Sequence, residues 1–390
     1  MKTILVSAFA NINTVSNNRV LSIFNSIPGE KTVVTTDFCH GEKRYYLDNE
    51  KSNPNQIHLH VPSYTSNLSI KRIWSHLCFA KKVKTYLNNL GDLPDIIYCT
   101  MPSSSSAFVC AKFCKKNNIK FVIDVIDLWP DSLLPFVKGK DLFKALLYPW
   151  SSLTQYSYKH ADIILGESFK YASEAKKVNN NADVYPLYLG VDMNLVKNIT
   201  NNNPVKLNKP DDEIWIAYAG SLGTSYGFDT LLSVLKKIRG NYKYKFWFVG
   251  DGVERSRIES FIIENNINAE ITGYLPYNEL LGYLVYCDIA INLFRKGTKV
   301  VYSYKFNDYV ATNCFILNSL DGETVELVDT YKVGRNFNYS NLTLDYVLAD
   351  VLANWSNYSS WKTNNYKLIE EKLDKEKIYS VLKGVFSSCK

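Results

Sequence analysis

The segment GSLGTSYG, residues 220–227, combines three glycines with serine and threonine hydroxyls. It follows the apolar run Ile214–Ala219, typical of a strand, and precedes Phe228–Ile238, whose apolar residues have the period of a helix. Glycine lets a ligand approach the backbone, and a helix start offers free N–H groups and the positive end of the helix dipole. The segment therefore predicts an anion site for a phosphate, with Ser221 and Thr224 as further donors. A tight turn without a ligand is the alternative.

Three other strand-like runs of the second half also end in glycine or polar residues. They end at Gly250–Gly252, at Ile271–Pro276 and near Arg295. In an open parallel sheet the carboxyl ends of the strands lie at one edge, where ligands bind. Together with residues 220–227, these ends predict one composite ligand site.

A carboxylate-rich segment, IDVIDLWPDS, occupies residues 123–132 at the end of a strand-like run in the first half. A carboxylate there could act as a general base or accept hydrogen bonds from a ligand, and Asp127 is the first candidate. The alternative is that Asp127 or Asp131 caps the helix that follows. No arrangement of Ser, His and Asp or of Cys and His suggests a nucleophile.

The elements that position these residues follow from a simple alternation. Short apolar runs alternate with helical patterns along the whole chain, which is typical of parallel sheets covered on both faces. The predicted strands of the first half are Thr3–Ala8, Thr32–Thr36, Gln56–Val61, Ile96–Cys99, Phe121–Val125, Ile163–Leu165 and Val184–Leu187. Those of the second half are Ile214–Ala219, Tyr244–Val249, Ala269–Ile271, Ile289–Leu293 and Cys314–Leu317. The pattern predicts an α/β protein.

The chain has 390 residues, more than one hydrophobic core usually supports, so two domains are expected. Residues 197–212 are polar, contain two prolines and lack periodicity, which predicts a linker. The predicted domains are 1–196 and 213–367, both doubly wound and Rossmann-like. They would face each other across a cleft, the default place for a ligand.

Composition narrows the classes of function. The net charge of +7 suits a polyanionic ligand or an acidic membrane surface, and it is too small to demand nucleic acid, which we do not expect as a partner. Eight cysteines include no CxxC pair, and the histidines are not spaced for zinc. We therefore expect reduced thiols, a cytoplasmic protein and no metal. No long apolar stretch predicts a membrane span or a signal peptide.

Two segments combine lysines with large apolar residues. Ile70–Leu90 has a predicted inward stripe, with Phe79 on the opposite, basic face. The stripe residues are numbers 70, 73, 74, 77, 83, 87 and 90. Leu133–Trp150 mixes Lys, Phe and Trp in the same way. A basic face carrying an aromatic suits a helix in a membrane interface, and a solvated lysine face is the alternative. We predict peripheral attachment to the inner face of the cell membrane.

The ordered motifs resemble a known family. YAGSLG…YGFDTLL, FWFVGDG, ITGYLPYNELLGYLVYCDIAINL and SYKFNDYVATNCFIL look like the donor half of retaining glycosyltransferases of family four, which have the GT-B fold. DIIYCTMPSSSSAFVCAKFCKKNNIKFVIDVIDLWPDSL resembles the subgroup with a DLWP signature, which acts in bacterial O-antigen and capsule assembly. ADIILGES and YLGVD match later landmarks of the first domain. The resemblance covers nearly the whole chain and implies that segment 368–390 completes the first domain.

The resemblance implies a UDP-sugar site. The loop from Gly220 would contact the diphosphate, and Gly250–Gly252 would line the nucleotide pocket. The backbone at Tyr274 would hold the uracil, and Asp308 would bind the ribose hydroxyls. The full set of predicted donor-binding residues is Gly220, Ser221, Leu222, Gly223, Thr224, Gly250, Asp251, Gly252, Tyr274, Leu275, Ser303, Lys305 and Asp308.

The chain departs from the family pattern on the donor side. Many members carry a glutamate eight residues before the ribose-binding acid, where this chain has Val300. Many also have a phosphate-binding lysine at the position of Tyr226. Lys305, placed three residues before Asp308 as in the DLWP subgroup, would then neutralise the diphosphate. Arg295 or Lys296 would assist it, and a solvated lysine at a helix start is the alternative to this role.

On the acceptor side, Ile126 stands where many members place a histidine that touches the donor sugar. Asp127 is therefore the predicted carboxylate at the reaction centre, and Asp127 and Lys305 are the two predicted catalytic residues. Arg19 and Asp131 are the predicted acceptor-side residues.

These expectations define a function. Peptide dipoles and one lysine aimed at the diphosphate would stabilise the charge that develops as the sugar–phosphate bond breaks, without a metal or another cofactor. We expect a hexosyltransferase that moves sugar from a UDP-sugar, with retention, to a lipid-linked or glycan acceptor. One alternative is a UDP-sugar 2-epimerase. The other is a non-catalytic interaction subunit, and the departures from the family pattern at Val300 and Ile126 favour this second alternative. A dehydrogenase is disfavoured because no GxGxxG follows the first strand.

Overall fold

The computed structural model describes residues 1–13, 19–66, 69–131, 140–298, 300–358 and 360–387. The chain divides into two compact units. The first contains Met1–Leu189 together with the chain from Glu376 onward, and the second contains Gly190–Lys375. Each unit has its own parallel sheet and its own core.

The first unit is built on a parallel sheet that has seven strands within the described residues. In chain order the strands of this unit are β1 (Lys2–Val6), β2 (Glu30–Thr36), β3 (Phe38–Cys39), β4 (Arg44–Tyr45), β5 (Gln56–Leu59), β6 (Ile96–Met101), β7 (Lys120–Val125), β8 (Ile163–Gly166) and β9 (Asp183–Pro186). The sheet order is β5-β2-β1-β6-β7-β8-β9, and β3 and β4 form a separate antiparallel pair. The direction of winding reverses between β1 and β6, which makes their carboxyl ends a topological switch point.

Helices cover this sheet. Those of the first part of the chain are α1 (Arg19–Ser26), α2 (Ile70–Asn88), α3 (Ser104–Asn117), α4 (Lys140–Lys159) and α5 (Phe169–Lys176). Three of them begin at a serine whose side chain accepts a backbone N–H of the first turn, namely Ser69, Ser103 and Ser168. Helix α3 packs against both α2 and α4.

The second unit repeats the arrangement. Its strands are β10 (Ile214–Ala219), β11 (Tyr244–Val249), β12 (Ala269–Ile271), β13 (Ile289–Asn292), β14 (Phe315–Asn318) and β15 (Gly334–Asn336). All are parallel, in the order β12-β11-β10-β13-β14-β15, so the switch point lies between β10 and β13. The helices are α6 (Met193–Asn201), α7 (Phe228–Ile238), α8 (Arg255–Glu264), α9 (Tyr277–Leu284), α10 (Tyr304–Ala311), α11 (Glu323–Tyr331), α12 (Leu344–Ala353) and α13 (Trp361–Leu368).

The last helix, α14 (Lys375–Ser387), packs into the core of the first unit. Its apolar face carries Tyr379, Leu382, Val385 and Phe386, all of which are buried there with residues of β1 and α1. A π-helical turn, Ile369–Leu373, precedes it and belongs to the second unit.

The predicted α/β class and the predicted strands are confirmed, whereas the two-residue strands β3 and β4 and the sheet strand β15 were missed. The last of these is the one that belongs to a parallel sheet. Its sequence, GRN, has no apolar run that could signal a strand. The division of the chain also falls earlier than the predicted linker 197–212. Asp192 caps α6 by accepting the N–H groups of Asn194 and Leu195, and Ile199 is buried, so the helix forms despite its polar composition.

The first two turns of α2 face opposite to the prediction, whereas Val83 and Leu87 of the predicted inward stripe are buried as expected. Phe79 is fully buried, whereas Ile70 is 84% exposed and Trp74 is 57% exposed. The buried face contains Ser75 and Ala80, and their small side chains suit the close packing of α2 on α3. The predicted inward stripe is therefore an exposed apolar face over its first two turns. Among the described residues, no helix combines the length and the apolar character that crossing a bilayer requires.

Candidate functional site

Two glycine loops of the second unit pack backbone against backbone at the carboxyl ends of β10 and β11. A Cβ on Gly250 would lie 2.0 Å from the Gly220 carbonyl oxygen, and a Cβ on Gly252 would lie 2.5 Å from the Leu222 carbonyl oxygen. The Leu222 N–H donates to the Asp251 carbonyl over 2.8 Å. Only glycine permits such contacts, so the loops form one assembly at the switch-point edge.

The members of the first loop differ in what they offer a ligand. Ser221 and Thr224 are exposed, and no described residue accepts a backbone N–H from Gly223 or Thr224. Leu222 departs from the prediction of a ligand contact, because its side chain is fully buried and its N–H is already used within the protein. The loop thus presents hydroxyls and peptide N–H groups, while Leu222 anchors it.

The Lys305 ammonium lies beneath this loop in an aromatic enclosure. Its Nζ is 3.6 Å from the ring centroid of Tyr226, 4.1 Å from that of Tyr218 and 5.6 Å from that of Phe294. A Cβ on Gly220 would lie 2.7 Å from the Lys305 Cε. Lys305 donates a hydrogen bond to the Tyr218 hydroxyl, which donates to the Ser221 carbonyl over 2.8 Å. The lysine is thus connected to the loop backbone through one tyrosine.

The environment of Lys305 suits an anion that arrives from outside. Burial lowers the Lys305 pKa well below its ordinary value, and the charge of Asp308 opposes that shift only in part. Aromatic faces attract a cation, yet they supply no negative charge. An anion bound at the loop would supply the missing charge.

Asp308 lies one turn after Lys305 on α10, on the same helix face. The Tyr277 hydroxyl donates to its Oδ1 over 2.6 Å. Burial raises the pKa of Asp308 to about 7, against the effects of the Tyr277 hydrogen bond and the Lys305 charge. Helix α10 is held at the sheet because Tyr309 accepts the Ala219 N–H over 2.9 Å. This anchoring brings Lys305 and Asp308 to the end of β10.

The loop after β12 joins the same assembly. The Thr272 hydroxyl accepts the Gly250 N–H over 3.2 Å. Tyr274 is 75% exposed and Leu275 is half-buried. Ser303 is the N-cap residue of α10 and is buried, and its side chain makes no capping hydrogen bond. These predicted donor-side residues therefore lie on loops and a helix start around one sheet edge.

Arg255 is a basic residue of this region that the sequence prediction missed. Its Nη1 donates to Asp251 Oδ2 over 3.1 Å, and a Cβ on Gly273 would lie 3.1 Å from the same nitrogen. The guanidinium therefore lies between the loops that follow β11 and β12. The available signal was its position four residues after Asp251 at the start of a helix.

The loop after β13 reaches the first glycine loop from the other side. The Arg295 N–H donates to the Ser225 carbonyl over 3.1 Å. The side chains of Arg295 and Lys296 are exposed, and Val300 is half-buried. The predicted assisting cations are thus on a segment that touches the glycine loop.

In the first unit, Arg19 is a structural residue, which corrects its predicted acceptor-side role. It is 4% exposed and forms a bidentate pair with Asp124, with two N–O distances of 2.7 Å. Burial alone would lower its pKa, but the charges of Asp124 and Tyr379 raise it above its ordinary value. Tyr98 also donates to Asp124, over 2.5 Å. An acceptor has no access to Arg19 in this network.

Asp127 is half-buried just after β7, and its N–H donates to the Met101 carbonyl over 3.3 Å. Asp131 is exposed. The residues that follow it, 132–139, lie outside the described residues, and with them much of the predicted interfacial segment Leu133–Trp150. The structure therefore places Asp127 at the carboxyl edge of the first sheet.

Comparison with known proteins adds a family match in the region of the glycine loops. The model of the family "Glycosyl transferases group 1" matches residues 200–295. This range contains both glycine loops and the loop after β12. No curated protein gave a significant sequence match.

Solved structures resemble the whole chain. HepE of Anabaena in complex with UDP is 12% identical, with both chains fully covered and a TM-score of 0.69. Sucrose-phosphate synthase of Thermosynechococcus elongatus is 14% identical, with coverage of 100% of this chain and 99% of the other and a TM-score of 0.75. WaaG, a glycosyltransferase involved in lipopolysaccharide biosynthesis, is 11% identical, with coverage of 98% and 100% and a TM-score of 0.67. The predicted GT-B fold is confirmed.

Proposed function

We propose that this chain is a glycosyltransferase that uses a UDP-sugar as its donor. The observation that carries the proposal is the position of the Lys305 ammonium beneath the Gly220 loop, in an aromatic enclosure where the charge of Asp308 offsets only part of the effect of burial. The match to group 1 glycosyl transferases supports it. So do the complexes of HepE with UDP and with UDP-glucose, since HepE shares the fold.

The proposed chemistry is departure of the diphosphate. Breaking the bond between sugar and β-phosphate leaves negative charge on the phosphate oxygens. The loop N–H groups and Lys305 would stabilise that charge, and each such donor is worth about 3 kcal/mol in the transition state. We propose that no metal ion is needed. Asp308, oriented by Tyr277, would accept hydrogen bonds from the ribose hydroxyls.

We further propose hexosyl transfer with retention to a lipid-linked or glycan hydroxyl, with Asp127 as the acceptor-side carboxylate. The resemblance to family four and its DLWP subgroup supports retention and a role in O-antigen or capsule assembly. WaaG, which shares the fold, acts in lipopolysaccharide biosynthesis. A non-catalytic subunit is the second candidate. It is favoured because Val300 and Ile126 stand where many members of the resembled family have a glutamate and a histidine. Sugar release from a panel of UDP-sugars distinguishes the two.

The donor site is tested by Asp308→Ala. We expect this variant to lose UDP binding by at least about tenfold, since it removes a buried, hydrogen-bonded acceptor for the ribose hydroxyls. Isothermal titration calorimetry with UDP above pH 7, where the carboxylate is ionised, measures the effect. Asp229→Ala is the matched control, because Asp229 is an exposed carboxylate of the same unit. Equal UDP affinity of wild type and Asp308→Ala would contradict the proposal.

We also propose peripheral attachment to the cytoplasmic face of the membrane through the exposed apolar face of α2. Ile70, Trp74 and Leu77 are exposed at helical spacing, and Lys71 and Lys81 are exposed nearby. Helix α4 also exposes apolar side chains, namely Leu142, Leu146 and Tyr148. An apolar face with flanking lysines suits an anionic lipid surface.

Trp74→Ser should therefore reduce co-sedimentation with anionic phospholipid vesicles about fivefold or more, because it removes the largest apolar side chain of this face. Val253→Ser is the control, since Val253 is 81% exposed on the second unit. Equal sedimentation of both variants and wild type would argue against attachment through α2.

A further inference from the structure

A second cluster of chemically active side chains lies at the carboxyl edge of the sheet in the first unit. His40 follows β3, Lys43 precedes β4, and Arg72 and His76 lie on α2. We call these four residues the basic cluster. The Lys43 Nζ is 3.3 Å from His40 Nδ1, and His40 Nδ1 is 2.5 Å from the Tyr64 hydroxyl.

Aromatic rings line the basic cluster. The Arg72 guanidinium lies over the Trp129 ring at 5.0 Å and over the Phe9 ring at 5.8 Å. The His76 ring is 5.7 Å from Phe9 and 6.1 Å from Trp129, measured between centroids. The Lys43 Nζ is 5.1 Å from the centroid of Tyr64. The basic groups and the rings thus belong to one arrangement.

The cluster has an excess of positive charge. Burial and the charges of Arg72 and Lys43 lower the pKa of His40 to about 3. Burial and the charges of Arg72 and His40 likewise lower the pKa of His76 to about 3. The pKa values of Arg72 and Lys43 are also lowered, chiefly by burial. Asp127 is the carboxylate that acts on Arg72, so within the described part of this cluster one acid faces two cationic side chains, Arg72 and Lys43, while the lowered pKa values keep both histidines neutral.

The His76 ring brings a buried nitrogen to this cluster. His76 is 3% exposed, and its Nε2 has no hydrogen-bond partner among the described residues. A buried polar atom without a partner is costly unless a ligand or a water supplies one. Above it, His40, Lys43 and Arg72 are half-buried and remain partly accessible. A ligand could therefore reach these groups from the solvent.

These features fit a phosphorylated sugar. Cationic side chains recognise phosphate oxygens, aromatic faces cover the apolar faces of a sugar ring, and a carboxylate accepts sugar hydroxyls. The same helix that contributes Arg72 and His76 exposes Ile70, Trp74 and Leu77 on another face. The phosphate of a lipid phosphate ester would match the face of α2 that carries Arg72 and His76, and its lipid would match the exposed apolar face.

We propose that the basic cluster binds the phosphate or diphosphate group of the acceptor substrate, which would make the acceptor a glycosyl phosphate ester. This inference rests on the proposed transferase function, because it names the class of acceptor. The same chemistry is found in a lipid diphosphate and in a soluble sugar phosphate. The two sources differ only in whether an apolar chain adds to the affinity.

The test is calorimetric titration of the full chain with farnesyl diphosphate, and separately with inorganic pyrophosphate, in the presence of saturating UDP. UDP occupies the proposed donor site and prevents the probes from binding there. Both probes should bind wild type. A higher affinity for farnesyl diphosphate identifies a lipid phosphate, and equal affinities identify a soluble one. Arg72→Gln and Lys43→Gln should each weaken both probes about tenfold, the loss expected for one charge-assisted contact.

Lys84→Gln is the matched control, because Lys84 is exposed on the same helix as Arg72 and should leave pyrophosphate binding unchanged. Unchanged thermal unfolding shows that the variants fold. Two results would overturn the inference and leave the donor site intact. In the first, UDP binds normally but neither probe binds. In the second, Arg72→Gln and Lys43→Gln bind both probes as tightly as wild type does. If UDP itself fails to bind, the proposed function fails instead.

Discussion

Lys305→Gln is expected to lower the turnover of the UDP-sugar about 10²- to 10³-fold, the loss typical of removing one preorganised donor to a developing anion. Lys305 lies within 3.6 Å of the Tyr226 ring centroid and beneath Gly220, and its hydrogen bond to Tyr218 fixes it there. Glutamine keeps much of the volume and loses the charge. The measurement is kcat for the UDP-sugar that is turned over fastest in a panel.

Lys236→Gln is the control for a general loss of positive charge, since Lys236 is an exposed lysine in the last turn of α7, in the same unit. We expect nearly wild-type turnover from it. A near-normal rate for Lys305→Gln would remove Lys305 from the mechanism. An increase in KM with unchanged kcat would mean that Lys305 binds the donor equally well in the ground state and in the transition state.

The lowered pKa of Lys305 gives this prediction a pH signature. In the free protein, burial favours the neutral amine above a pH well below the ordinary lysine value. The diphosphate of bound UDP favours the ammonium form, so binding takes up a proton at pH values between the free-state and the bound-state pKa of Lys305. UDP affinity should therefore fall as pH rises from the free-state pKa toward the bound-state pKa. Calorimetry in two buffers of different ionisation enthalpy detects the uptake, and Lys305→Gln should abolish it.

The glycine loops could be predicted because their signal is local. An apolar run followed by closely spaced glycines and a helical stripe specifies a strand end and a helix start, whatever lies around them. Lys305 and Asp308 were found through their spacing within a resembled motif. Their geometry was not predictable, because the enclosure is formed by Tyr218, Tyr226 and Phe294 from three places in the chain.

The acceptor-side residues show the limit of local patterns. Arg19 and Asp124 are 105 residues apart, and their pairing follows only from the order of the strands. The basic cluster likewise joins His40 and Lys43, which follow β3, to Arg72 and His76 of α2. Helix α2 carries apolar residues on two faces, so periodicity alone could not decide which face packs. The small residues Ser75 and Ala80 mark the face that approaches α3.

Gly250→Ala is expected to weaken UDP binding more than tenfold and to lower the free energy of unfolding by about 2–3 kcal/mol, the range for strain at a forbidden backbone conformation. Gly250 has φ +151°, and an added Cβ would lie 2.0 Å from the Gly220 carbonyl oxygen. Because the added Cβ would meet a backbone atom and not a flexible side chain, the clash is relieved only if the two loops move apart. Since Lys305 lies directly against Gly220, separation would also move the loop away from the ammonium. Calorimetry with UDP and denaturant unfolding measure the two effects.

Gly240→Ala is the control that separates the effect of the steric clash from the effect of an unfavourable backbone conformation. Gly240 has φ +77° in the same unit, and an added Cβ there would meet nothing within 4 Å. It should cost about 1 kcal/mol of stability from its left-handed conformation and leave UDP affinity unchanged. If both variants bound UDP equally well, the contact between the two loops would have no part in forming the donor site. A selective loss in Gly250→Ala would show that the diphosphate site depends on the alignment of two glycine loops, which no single side chain could provide.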